Sequence, residues 1–206
     1  MKLKPVSMTD RGSLNLYLFV GVLIAVGAVF GALLVNALSL EQQQSLSDKL
    51  AAYFGGTASN APAVEGFRER LFFHLKWLAL IWLLGISVVG SPFVLALDFL
   101  KGVLIGFAIG LTVRHLAWQG VAVSLAVIAP QNLVIVPALA VASVSALRFA
   151  YYIGRERLFL GGGRLLPPLA AHTGVAATML LVLAVASMWE TFVVPHIVSG
   201  LARWIS

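Results

Sequence analysis

The chain has 206 residues, 60% of them hydrophobic and only 11% charged, with a mean hydropathy of +0.97. Soluble domains run nearer a quarter charged, so this composition excludes an ordinary soluble domain, a disordered segment and a collagen-like chain. There is no cysteine, hence no disulfide framework, thiolate metal site or cysteine nucleophile, and the net charge of +6 is read first as a marker of membrane topology.

A bilayer core takes about 20 apolar residues as helix, because lipid offers the backbone no hydrogen-bond partners. No charge occurs between Arg11 and Glu41, and residues 14–38 form the first predicted span. Lys2, Lys4 and Arg11 ahead of it imitate the basic end of a signal peptide, but the apolar run is too long for one, so it is expected to stay as an anchor. Residues 77–97 are the second span, and Asp98 to Lys101 then read as a tight charged corner. The third span covers 102–118 with Arg114 and His115 near its end, where arginine can snorkel. Residues 121–147 carry no charge but contain Pro130 and Pro137, which predicts a broken or re-entrant fourth span: a short piece to Ala129, then a longer one. Residues 169–189 are the fifth, followed by Glu190 and an apolar tail.

The expected fold class is therefore all-α: a single polytopic membrane domain of about five transmembrane helices. With the N-terminus inside, the inner segments hold Lys2, Lys4, Arg11, Lys101, Arg148, Arg155, Arg157 and Arg164. The outer segments hold Lys49, Arg68, Arg70, Lys76, Arg114 and Arg203. The bias is sharpest at the Arg148 to Arg164 loop, which is expected to meet anionic lipid heads. The N-terminus is then cytoplasmic and the C-terminus extracytoplasmic.

The outer segment, residues 41–75, is the only sizeable non-membrane piece. Leu46, Leu50, Tyr53 and Phe54 give one apolar face to a helix starting near Glu41, and GGTASNAP at 55–62 breaks it. Phe67, Leu71, His74 and Leu75 make a second stripe running into span two. This reads as a short helical hairpin on the outer membrane face offering a partner contact, or as a helix that simply continues out of the bilayer and back.

Four groups of residues could carry function. Gly102, Gly106 and Gly110, like Gly27 and Gly31, stand four apart on one helix face, which suits an oligomer seam, a partner groove or internal helix packing. Asp98 and Lys101, three apart, suit an interfacial charge pair or an ion relay. Pro130, Gln131 and Asn132, with Pro137 beyond, place amides at a helix break, the feature that marks substrate sites in transporters; a packed re-entrant turn is the plainer reading. The histidines form no HExxH, Ser87 and Ser91 lie in no GxSxG elbow, and no nucleotide loop occurs. The sequence thus predicts no enzyme, no cofactor, no metal and no nucleic-acid partner.

FGALLVNALSL at 30–40, FFHLKWLALIWLLGISVVGSP at 72–92, FLKGVLIGFAIG at 99–110 and APQNLVIVPAL at 129–139 together resemble the stage II sporulation protein M family over nearly the whole chain. The PQN and LKG-xxx-G phrases are the most specific. The resemblance implies a multi-pass protein of the mother-cell membrane at the sporulation septum. It would be a noncatalytic scaffold that localises stage II sporulation proteins D and P, two peptidoglycan hydrolases, during forespore engulfment. A sister copy through the glycine row is a further expected partner beside the bilayer. The alternative reading is a transporter or permease-like subunit working through Pro130–Gln131–Asn132.

Overall fold

A computed structural model describes residues 10–39, 41–42, 44–46, 63–159 and 165–205. The described residues are helical, with no strand among them. Helix α1 runs Asp10–Leu34 and tightens into a 3₁₀ turn at Val35–Ala37. Helix α2 is Ala63–Gly85, α3 is Ser91–Val123, α4 is Ala129–Tyr152, α5 is Leu166–Phe192 and α6 is Val194–Ile205. Wide π turns at Ser124–Ile128 and Ile153–Phe159 flank α4. Pro92, Pro130 and Pro167 each fall in the first turn of a helix, where the missing N–H leaves no bond unmade.

Helix α4 lies at the centre. Ile135, Ala138, Leu139, Ala142 and Ala146 pack against Trp77, Leu78 and Ile81 of α2, Val94 of α3, and Leu183 and Ala186 of α5. Its other side sets Val144 against Val20 and Ile24 of α1. The alanines let four neighbours approach one helix. Outward the bundle shows large apolar side chains, with Leu14 68%, Leu133 77% and Leu181 70% exposed, a surface that suits hydrocarbon and not water. Three stretches are long and apolar enough to cross a bilayer: Gly12–Ala37, Val88–Glu156 and Leu166–Leu201.

The middle stretch of 69 residues would reach about 100 Å as one rod, roughly three times the hydrocarbon core. It folds back at Ala117, whose φ of 49° and ψ of −128° break the helical path. Gly120 is thereby brought against the Thr112 carbonyl, an approach that a side chain would block. After the turn, Val123 and Val127 pack on Val194 and Val198, the apolar side of the strongly amphipathic α6.

Two expectations about this region are corrected. The break expected at Pro130 lies upstream, at Ala117. Beside Pro130 the chain only widens into the π turn, and α4 runs unbroken through Pro137. The expected division into spans 77–97 and 102–118 also moves, because the turn lies at residues 86–90 and not at Asp98 to Lys101. Ser87 is extended there, and Gly90 closes onto the Leu84 carbonyl, so α2 stops at Gly85 and Pro92 opens α3. The glycine and proline punctuation of LLGISVVGSP outweighs the charges as a turn signal.

In the outer segment, residues 41–42 and 44–46 are helical and their start is capped reciprocally. The Ser39 amide donates to Gln42 Oε1 at 3.1 Å and the Gln42 amide donates to Ser39 Oγ at 3.3 Å. Leu46 is half-buried there, while Leu50, Tyr53 and Phe54 lie outside the described residues. The second stripe, Phe67 to Leu75, belongs to the continuous helix α2.

Candidate functional site

The two glycine rows meet each other inside the chain. Gly102 faces the carbonyl of Ile24, Gly106 that of Ala28, and Gly110 the backbone of Ala32. From the other side, Gly27 and Gly31 face the carbonyls of Phe99 and Val103. The paired numbers rise together, so α1 and α3 run parallel in backbone contact. Arg114 closes the end of the seam by donating to Asn36 Oδ1 at 2.8 Å, placing a cation beside the last turn of α1. These glycines line an internal seam, and any contact with a sister subunit would need another face.

Asp98 and Lys101 share α3 but serve different neighbours. Asp98 is buried against α4, where the Ser143 hydroxyl donates to its Oδ1 at 2.7 Å while Oδ2 has no partner among the described residues. Lys101, also buried, points to α2, its Nζ 5.4 Å from the Phe73 ring centre and 5.8 Å from that of Trp77. Instead of an interfacial pair, the helix carries two separate buried groups about one turn apart.

Lys101 opens on a cavity of about 470 Å³ between α2, α3, α4 and α5. Glu69, Arg70 and His74 enter from α2, Gln131 and Asn132 from α4, and Glu190 from α5. His74 Nε2 stands 3.3 Å from Glu190 Oε1, and Arg70 donates to the Glu190 backbone carbonyl. The His74 Nδ1 is buried without a partner among the described residues. Asn132 turns its amide to the Ile128 carbonyl at 2.8 Å, satisfying backbone disturbed by the π turn, while Gln131 lines the cavity.

The PQN motif and Lys101 therefore come together. Their partners Arg70, His74 and Glu190 were not singled out in sequence, because more than a hundred residues separate His74 from Glu190. The one local signal was a lone carboxylate, Glu190, at the end of an apolar run. Chemically the cavity can seat a small polar or charged group between cations and carboxylates. Among the described residues no three metal-ligating side chains cluster. The same helices hold a second buried histidine, His172, which stacks on Phe149 at 5.4 Å and meets Ser145 Oγ at 3.0 Å, a cross-link between α4 and α5.

The family model for stage II sporulation protein M matches residues 20–195, from the seam of α1 to the start of α6. The chain belongs to that family. No curated protein and no solved structure gives a match. Membership in the stage II sporulation protein M family, with the long apolar helices, makes this a sporulation-related membrane protein. The matched region contains both glycine rows, the turn at Ala117 and every residue named around the Lys101 cavity.

Proposed function

We propose that the chain is a noncatalytic anchor of the mother-cell membrane that holds peptidoglycan hydrolases, stage II sporulation proteins D and P, at the septum during engulfment. In this reading α1 to α5 each cross the bilayer once, with the N-terminus inside and α6 on the outer face. The parallel pairing of α1 with α3 and the reversal between α3 and α4 support that order. The observation that carries the reading is the seam itself. Carriers rock one bundle past another, whereas backbones interlocked at five glycines resist sliding and suit a fixed mount.

Affinity purification of the tagged chain from sporulating-cell membranes in mild detergent, followed by mass spectrometry, tests it. Two peptidoglycan hydrolases without an ATPase are expected; an ATPase without hydrolases would overturn the scaffold reading. One observation favours a second role, as a transport subunit: the polar cavity at Gln131, Lys101, His74 and Glu190. On that reading Gln131→Leu abolishes flux while leaving the hydrolases bound.

A further inference from the structure

At the opposite end of α4 from the Lys101 cavity, a cleft of about 500 Å³ opens between the start of α1, the end of α4 and the start of α5. Arg148, Arg155, Tyr17, Tyr151 and Tyr152 line it, with Glu156 as its acid. The Arg148 guanidinium lies 5.9 Å from the Tyr17 ring centre, and its Nε is buried without a partner among the described residues. A buried guanidinium N–H left unmade is costly, and more so where lipid excludes water. The two arginines against Glu156 leave the cleft one positive charge in excess. That suits a single phosphodiester.

The cleft continues into a groove of about 870 Å³ that shares Tyr151 and Arg155 with it. Elsewhere the groove is walled mainly by Leu16, Phe19, Leu95 and Leu147. A free anion would use only the cleft, so the groove asks for an apolar chain attached to the anion. The depth agrees. The cleft residues Ser13, Glu156 and Pro168 lie where the three long apolar stretches begin or end, at Gly12, Glu156 and Leu166. Arginine and tyrosine at such boundaries sit at headgroup level.

We propose that this cleft and groove form a binding site for one acidic glycerophospholipid, its phosphate on Arg148 and Arg155 and an acyl chain along Leu16, Phe19 and Leu147. The site does not depend on the scaffold reading. The full chain is reconstituted in phosphatidylcholine nanodiscs with and without phosphatidylglycerol, released into the gas phase, and its retained lipids identified by native mass spectrometry. One phosphatidylglycerol retained in preference to phosphatidylcholine is expected. Retention should fall about tenfold in Arg148→Gln and in Arg155→Gln, an exposed position where loss of folding is not at issue. Glycerol 3-phosphate, which carries the head without the chain, should not compete. Equal retention of the two lipids, undiminished retention in Arg155→Gln, or full competition by glycerol 3-phosphate would each overturn the proposal.

Discussion

Replacing Gly106 by alanine tests whether α1 and α3 are as close as the seam describes. A Cβ at Gly106 would stand 2.6 Å from Ala28 Cα, besides overlapping the Ala28 carbonyl. Carbon atoms settle at about 3.5–4.0 Å, so the helices must part by about 1 Å, and a gap of that size forfeits a quarter to a half of the dispersion energy along the contact. Overpacking of this kind costs about 2 kcal/mol, roughly a thirtyfold change in the folded fraction. At Gly110 the nearest atoms are 3.0 Å away, which needs about half the displacement, and about 1 kcal/mol is expected. At Gly21 on the same α1 nothing lies within 4 Å, so alanine there should be neutral or slightly stabilising. The assay is the thermal midpoint of the detergent-solubilised chain, read by size-exclusion retention at several protein concentrations. The order Gly21, Gly110, Gly106 of increasing loss is expected at every concentration, since the seam is internal. If Gly106→Ala melted with Gly21→Ala, the backbone contact would not exist. If its loss instead tracked dilution, the row would belong to an interface between copies.

Three further outcomes follow from the buried polar groups and the turn. Ser143→Ala should cost about 1–3 kcal/mol by stranding the buried Asp98, and Ser143→Ala with Asp98→Ala should cost less than the sum of the two, a coupling that a double-mutant cycle of thermal midpoints reads directly. Glu190→Leu should destabilise by about 3 kcal/mol by removing the partner of buried His74, and adding His74→Leu should recover part of that; strict additivity would mean that the pair does not interact. Ala117→Gly should stabilise by about 1 kcal/mol, because alanine at a φ of 49° is strained and glycine is not; a lowered midpoint would place the reversal elsewhere.

How much of this was legible in the sequence differs by element. The apolar runs announced helices, and the four-residue glycine spacing announced a close helix contact, because both depend only on the periodicity of one helix. The turn at residues 86–90 was written in Gly85, Gly90 and Pro92 but was overshadowed by the nearby charges of Asp98 and Lys101. Those charges turned out to be buried in mid-helix, where Ser143 and the Phe73 and Trp77 rings accommodate them. The reversal at Ala117 had no such warning, since alanine is the strongest helix former; only Gly120 three residues on hinted at it.

Composition alone determined that the chain is a membrane protein built of helices, since the bilayer leaves an apolar backbone no other way to pair its polar groups. Its motif phrases carried the family resemblance. Tertiary structure alone decided that the glycine rows face each other, that Asp98 and Lys101 part company, and that His74, Lys101, Gln131 and Glu190 converge on one cavity. Periodicity reports which residues share a face of one helix; it carries no term for which helix, dozens of residues away, comes to lie against that face.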